Sequence, residues 1–185
     1  MILPVYIFGQ PVLKKKGLDI GPDYEALDTL IADMYETMYG AKGVGLAAPQ
    51  IGLNIRLFVV DTVQMMEEDK KDQGIRKTFI NARIVEESGE PWSYEEGCLS
   101  IPNISGDVER MPKIRVTYMD ENFIEKDEVY DGIHARVIQH EYDHIEGVLF
   151  TEKLKPLKKK LIQRKLNDIK AGKMQVDYKV KIVRP

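Results

Sequence analysis

Apolar residues recur along this chain at two spacings, one helical and one alternating. Helical spacing predicts three amphipathic helices, over residues 23–39, 133–145 and 154–173. Asp23 is the expected N-cap of the first helix, and Gly40 marks its end. Alternating and β-branched runs predict strands over 56–60, 79–86, 113–119, 123–130 and 175–183. This grouping of elements predicts an α+β fold, with mixed or antiparallel sheets around a central helix and an additional C-terminal helix.

Two polar segments interrupt the strands. Residues 120–122 have the sequence Asp-Glu-Asn, which is typical of a turn, so the strands on either side are expected to form a β-hairpin. Residues 63–76 are strongly polar and carry charges of both signs, which predicts an exposed loop.

Composition limits the class of protein. The chain has 185 residues, 43% of them hydrophobic, and a net charge of −3. This predicts one domain over residues 1–185, in which the C-terminal helix is followed by a terminal strand or tail over 174–185. No export signal and no membrane-spanning run is expected. The single cysteine, Cys98, excludes an intrachain disulfide and favours a reducing, cytoplasmic setting.

The central helix carries two histidines at metal-ligand spacing. His140 and His144 are four residues apart, so a helix places them on one face, close enough to hold one metal ion. Ile133 and Val137 continue the same stripe, which directs the histidines toward the packed side of the helix. Glu141 lies between the histidines and suits a group that accepts the proton of a metal-bound water.

A third ligand is needed to decide whether these histidines bind a metal, because His-Glu-x-x-His also occurs by chance in chains without one. In one large group of zinc proteases the pattern continues to a third histidine, but the corresponding residue here is Phe150. His134 lies about 9 Å from His140 along the helix axis, too far to share the ion, and is interpreted as a solvated or helix-start residue. Cys98 would by default be a small buried hydrophobe, but its thiolate would complete a Cys-His-His set with one position open for water.

Two hydrogen-bond donors accompany these residues. The N–H of Leu99, directly after Cys98, is a candidate donor to a developing oxyanion. Gln50 could donate another hydrogen bond from residues 43–52, where Gly43 and Gly45 permit a close backbone approach. A phosphate-binding loop is not indicated here, because the lysine and hydroxyl residue of a P-loop are absent.

Three stretches of the chain carry the most specific pattern. They read Gly43-x-Gly45-Leu46-Ala47-Ala48-x-Gln50, Glu96-Gly97-Cys98-Leu99-Ser100 and Gln139-His140-Glu141-x-Asp143-His144-x-x-Gly147. In order and separation they resemble the three signature motifs of the peptide deformylases. The resemblance extends from residues 9–13 to about Lys165.

The resemblance implies a metal-dependent enzyme that removes the formyl group from nascent N-formylmethionyl peptides and releases formate. The metal ligands it implies are Cys98, His140 and His144. Glu141 would act as general base and then general acid, while Gln50 and the Leu99 N–H would form the oxyanion site. In the family the native ion is usually Fe²⁺, and Zn²⁺, Ni²⁺ or Co²⁺ can occupy the same ligands.

The same resemblance implies where the peptide binds. The substrate-binding residues it implies are Val44, Gly45, Gly97, Ile133 and Val137. The methionine side chain would enter a pocket near Val44, Ile133 and Val137, and backbone groups around Val44 and Gly97 would align the peptide as a strand.

The resemblance also motivates a supporting role for Glu96. Its carboxylate is expected to pair with Arg110 and to brace the Cys98 loop. The alternative is a solvated surface acid.

The predicted C-terminal helix is strongly basic, with eight Lys or Arg residues against one acid, Asp168. Its apolar stripe is Leu157, Leu161, Ile162, Leu166 and Ile169. Such charge usually marks a solvated face, but the place where deformylases act favours contact with ribosomal RNA near the nascent-chain exit. Neither DNA nor a membrane is an expected partner.

Two other functions stay open. A zinc endopeptidase of the His-Glu-x-x-His type is opposed by Phe150 and by Cys98 as the only evident third ligand. A non-catalytic, ribosome-associated binding protein is opposed by the presence of both Glu141 and Gln50.

Overall fold

The computed structural model describes residues 1–183. Its helices are α1 (Leu27–Gly40), α2 (Gly132–Ile145) and α3 (Pro156–Lys170). Its strands are β1 (Val5–Tyr6), β2 (Gly45–Ala47), β3 (Leu57–Asp61), β4 (Arg76–Ser88), β5 (Trp92–Cys98), β6 (Ile101–Arg110), β7 (Lys113–Met119), β8 (Glu125–Asp131) and β9 (Val180–Lys181). Within residues 1–183, the helices are too short or too polar to cross a membrane.

The strands form three sheets. A five-stranded antiparallel sheet has the order β2-β3-β4-β7-β8, and its β7–β8 pair is the predicted hairpin. Strands β5 and β6 form a separate antiparallel hairpin, while β1 and β9 pair in parallel. This mixture of helices and mainly antiparallel sheets confirms the predicted α+β class.

Helix α2 is central because its apolar face packs on the five-stranded sheet. Ala135, Ile138 and Ile145 are fully buried in one core. They share this core with Phe58 and Phe79 of the sheet, whose stacked ring centroids are 4.8 Å apart. Burial on this side fixes the rotation of the helix, and hence the direction in which its histidines point.

The chain reverses sharply where α2 ends. Gly147 has φ +75°, and a Cβ atom built on it would lie 2.7 Å from the Lys14 carbonyl oxygen. A glycine is therefore needed here, because other residues rarely adopt this positive φ and because a Cβ atom would clash with the carbonyl.

Two further cores flank α2. Helix α1 packs on β2 and β3, through residues such as Met34, Met38 and Leu46. Helix α3 packs beside β6 through Ile162 and Leu166. The five-stranded sheet and the β5–β6 hairpin are thereby held on two sides of the histidine-bearing helix.

Helix α1 begins later than the sequence predicts. Its N-cap is Ala26, in the left-handed conformation with φ 54°, and no side chain caps the helix. The segment around Asp23 instead forms a turn, in which the Tyr24 N–H donates to the Gly21 carbonyl. The prediction of Asp23 as the N-cap is wrong, because this local turn takes up the chain before the helix starts.

The segment at 63–76 is exposed, as predicted, but is not wholly irregular. It contains two short 3-10 helices, Val63–Met65 and Glu68–Gln73, neither with a buried residue.

The C-terminal region departs further from expectation. Of the predicted strand over 175–183, only Val180–Lys181 pairs with another strand. In α3, Leu157 and Leu161 are 70% and 68% exposed, so the buried stripe is narrower than predicted. Arg184 and Pro185, at the end of the expected tail, lie outside the described residues.

Candidate metal centre and peptide cleft

Cys98, His140 and His144 come together although two separate elements carry them. One ligand atom from each lies within 4.8 Å of the others, and the Cys98 Sγ is 3.3 Å from the His144 Nε2. Helix α2 supplies the histidines, while Cys98 ends β5 where the hairpin register shifts. Among residues 1–183 this is the one cluster of its kind. The predicted ligand set therefore meets at one point.

The donor chemistry of this cluster fits a transition metal ion. A thiolate and two imidazoles are the ligands typical of zinc and iron sites, and three of them leave a coordination position open. Burial holds the pKa of His144 well below its usual value, whereas at His140 burial is outweighed by hydrogen bonds with Cys98 and Glu96, which raise the pKa.

Glu141 is buried next to His140 and His144. Its Oε2 is buried and has no hydrogen-bond partner among residues 1–183. Burial raises the pKa of Glu141 to about 7. A carboxylate kept free of partners in this way is suited to exchange a proton with a reacting group.

Strand β2 passes directly over Glu141. A Cβ atom built on Gly45 would lie 2.4 Å from the Glu141 Oε1, closer than atoms can approach. Gly45 therefore allows the strand edge to run beside the carboxylate.

Gln50 has its side chain fixed from both ends. Its Oε1 accepts a hydrogen bond from the Ala47 N–H at 2.9 Å. Its Nε2 lies 3.2 Å from the Ser100 Oγ and 3.5 Å from the Cys98 Sγ. Since Gln50 is only 1% exposed, its amide donor is held at the cluster, where the sequence predicted it.

Glu96 is a buried anchor and not a surface acid. It accepts hydrogen bonds from the Arg110 Nε at 2.7 Å and Nη2 at 2.9 Å, which confirms the predicted pair. It also accepts from Arg136 and lies 2.8 Å from the His140 Nδ1. Arg110 in turn donates to Asp143 on α2. The Glu96 carboxylate thus joins β5, β6 and α2, and it leaves the His140 Nε2 free for a ligand role.

This network also sets the charge of Glu96. Burial alone would raise its pKa, but the hydrogen bonds from Arg110 and His140 outweigh burial and hold the pKa well below its usual range. Glu96 is therefore ionised at neutral pH.

The cluster opens into a cleft of about 900 Å³. All five predicted substrate-binding residues line it, namely Val44, Gly45, Gly97, Ile133 and Val137. Cys98, His140, Glu141 and Gln50 line the same cleft. His134 does not: its Nδ1 lies 2.9 Å from the Thr62 Oγ1.

Several residues that line the cleft were not predicted from the sequence. Tyr94 lines the cleft from β5, and the segment 175–178 lines it from the C-terminal region. Strand β6, which presents Ile104 to the same cleft, was not predicted either. Alternation of Ile104, Gly106, Val108 and Arg110 on its buried face was the available signal, but glycine and arginine obscured it. The position of 175–178 depends on contacts distant in sequence, and no local pattern indicates it.

A thiolate, two imidazoles and a free buried carboxylate around one cleft define a site for metal-assisted hydrolysis.

Comparison with known proteins gives the family. A family model described as polypeptide deformylase matches residues 2–160. The chain is 56% identical to a peptide deformylase of Flavobacterium johnsoniae over 188 residues, covering 98% of this chain and 96% of that protein. It is 50% identical to a peptide deformylase of Cytophaga hutchinsonii over 181 residues, covering 98% and 97%.

Solved structures agree. A crystal structure of a peptide deformylase from Legionella pneumophila superposes with a TM-score of 0.81 at 37% identity, covering 92% of this chain and 96% of that one. The chain belongs to the polypeptide deformylase family. It is an enzyme, a hydrolase of a metal-dependent family that acts on formylated nascent peptides in protein biosynthesis. Membership in this family sets aside the endopeptidase and the non-catalytic binding protein.

Proposed function

We propose that this enzyme removes the formyl group from N-terminal formylmethionine at the cleft described above, with Glu141 as general base and then general acid. The observation that carries the proposal is the position of Glu141: it is buried, its Oε2 has no hydrogen-bond partner among residues 1–183, and it lies beside the Cys98, His140 and His144 cluster. A carboxylate on the surface could not act as the general base, because it would be solvated and far from the Cys98, His140 and His144 cluster.

Cys98, His140 and His144 would hold the ion, and Fe²⁺ is the ion we propose. Zn²⁺, Ni²⁺ or Co²⁺ could occupy the same donors, since ligand type alone does not select among them. When bound, such an ion acts as a Lewis acid and lowers the pKa of a coordinated water.

Glu141 takes a proton from the attacking water and delivers it to the leaving amine. Its pKa of about 7 suits both directions of transfer near neutral pH. The reaction then releases formate and a free N-terminal amine.

Gln50 and the Leu99 N–H would stabilise the negative charge that develops on the formyl oxygen. Supporting this, the Gln50 amide is held rigidly with its Nε2 near Cys98. Preorganised donors of this kind are typically worth about 3–4 kcal/mol each in transition-state stabilisation.

The methionine side chain would pack against Val44, Ile133 and Val137, which together give one part of the cleft an apolar wall. Backbone groups at Gly45 and Gly97 would pair with the peptide as an added strand. Gly97 is exposed, and Gly45 lies on an edge strand of its sheet, so both can accept an extended partner.

Glu141→Gln tests the proposal. We expect metal content, measured by elemental analysis, to stay at the wild-type level while formate release falls by at least about a thousandfold, because no proton acceptor is left. Glu125→Gln, at an exposed position on β8, is the matched control and should retain full activity. A Glu141→Gln enzyme as active as the wild type would remove Glu141 from the mechanism.

The metal is tested separately. Protein purified without oxygen should contain iron and lose activity on exposure to air, and reloading with Ni²⁺ or Co²⁺ should restore it. Zinc as the bound ion in oxygen-free protein of full activity would contradict the choice of Fe²⁺.

We also propose that α3 contacts ribosomal RNA in the cytoplasm, where nascent chains emerge. Its outer face carries Lys159, Lys160 and Arg164, all exposed, beside the exposed Leu157 and Leu161. Combined reversal of these three charges to Glu should weaken cosedimentation with ribosomes at low salt, and the difference from the wild type should shrink as salt rises. Reversal of Lys70 and Lys71, in the exposed segment at 63–76, is the control. Equal cosedimentation of all three proteins would contradict the contact.

A further inference from the structure

The C-terminal segment 175–178 forms a wall of the cleft but lies outside residues 2–160, which the family model matches. It is anchored on both sides. Met174 and Val180 pack against the core that contains α3 and β6, and Val180 also pairs with Val5 of β1. Between these anchors the chain bends at Asp177 and Tyr178, and residues 175–178 all line the cleft.

Three contacts join this segment to the other walls. The Asn103 Nδ2 donates to the Gln175 carbonyl at 3.3 Å. Asp177 forms an ion pair with Lys42 at 2.7 Å, beside the loop that leads into β2. The segment therefore contacts both edges between which the peptide would lie.

The third contact is made by Tyr178. Its hydroxyl donates to the Leu99 carbonyl at 2.7 Å, a contact between residues 79 positions apart. Burial, followed by the nearby charges of Cys98 and Asp177, raises the pKa of Tyr178 to about 12, so the hydroxyl remains a donor.

Leu99 needs such an anchor. It lies in the turn between β5 and β6, where the register shifts between Gly97 and Cys98. Its backbone is therefore outside the regular ladder that would otherwise fix its orientation.

We infer that Tyr178 is a positioning residue for deformylation: its hydroxyl holds the Leu99 backbone so that the Leu99 N–H faces the formyl oxygen. The inference rests on the proposed function. Tyr178 does not touch the reacting atoms; it acts through Leu99. A misplaced donor loses transition-state stabilisation while the peptide still binds, so the effect belongs in kcat more than in KM.

Tyr178→Phe tests this, because it removes the hydroxyl and keeps the ring. With kcat expressed per metal-loaded site, we expect it to fall about tenfold for a formyl-Met tripeptide, while KM changes less than about twofold. Tyr39→Phe is the matched control: it removes a hydroxyl that donates to Asp61, outside the cleft, and should leave both constants unchanged.

Amide hydrogen exchange supplies a readout that does not depend on turnover. In Tyr178→Phe the Leu99 amide should exchange faster than in the wild type, while amides of β7 keep their rates. Unchanged exchange at Leu99 would overturn the inference.

The kinetic outcomes are also decisive. A rise in KM with kcat unchanged would assign Tyr178 to peptide binding and overturn the positioning role, as would wild-type constants or an equal loss in Tyr39→Phe. Absence of formate release from the metal-loaded wild-type enzyme would instead refute the proposed function, and the inference with it.

Discussion

Charged residues are concentrated in two regions of this molecule, the network around the Cys98, His140 and His144 cluster and the outer face of α3. They are buried in the first region and exposed in the second. In the network, Glu96, Arg110 and Arg136 are at most 6% exposed and hydrogen-bonded to one another or to shared partners. On α3, Lys159 and Lys160 are exposed. Buried charges must be satisfied and so fix geometry, whereas exposed charges leave the fold unaffected and are available to a partner.

The largest effect is expected at the central network. Glu96→Ala removes the carboxylate that two buried arginines and His140 share, so it should lower the free energy of unfolding by about 3–5 kcal/mol. Chemical denaturation of the metal-loaded protein measures this. Asp127→Asn, which breaks an exposed ion pair with Arg115, is the control and should leave the midpoint almost unchanged. Similar denaturation midpoints for the two variants would contradict the claim that the buried charges stabilise the fold more than the exposed ones.

The same residue predicts a dependence on pH. The pKa of Glu96 is held below its unfolded value, so its stabilisation is present above that value and is lost as pH falls through the folded pKa. Stability of the wild type should therefore decline on the acid side more steeply than that of Glu96→Ala. Denaturation at several pH values measures this. An equal loss of stability with falling pH in the wild type and in Glu96→Ala would contradict it.

Gln50→Ala should act on the reaction more than on the fold. Loss of its donor is expected to lower kcat by about a hundredfold to a thousandfold. Steady-state formate release measures the effect. The control is Gln64→Ala, at an exposed position where the side chain donates a hydrogen bond to the Gly43 carbonyl. A change in KM alone would show that Gln50 contacts the ground state.

A smaller effect is expected within α3. Leu166→Ala empties part of a buried core and should cost about 2–3 kcal/mol, whereas Leu161→Ala, at a 68% exposed position, should cost less than about 0.5 kcal/mol. Thermal or chemical denaturation compares them. Equal losses of unfolding free energy in the two variants would mean that Leu161 is buried in solution.

The smallest effect is expected on the basic face itself. Lys159→Glu together with Lys160→Glu should leave stability within about 0.5 kcal/mol and kcat unchanged, because both side chains are solvated. A marked loss of either would show that this face takes part in the fold or the reaction.

The sequence predicted the elements whose signals are local. The stripe through Val137, His140 and His144 located α2 to within one residue of Gly132–Ile145, and the polar turn at 120–122 located the β7–β8 hairpin. The motifs predicted Cys98, His140, His144 and Gln50 as one group, and the structure brings these side chains together.

The rest depends on tertiary contacts. Glu96 was expected to pair with Arg110, but its contacts to Arg136 and His140 arise only when β5 meets α2. Strand β6 was missed because Gly106 and Arg110 occupy inward positions that an apolar pattern cannot mark. The place of Tyr178 in the cleft follows from the path of the chain after α3, which no local pattern specifies.

One measurement tests the central claim most directly: formate release from a formyl-Met tripeptide by protein purified without oxygen, beside Cys98→Ser and Glu141→Gln variants and an unformylated peptide. We predict rapid release by the wild type, none above background by either variant, and no cleavage of the unformylated peptide. Release that survives in both variants would contradict a site built from Cys98 and Glu141.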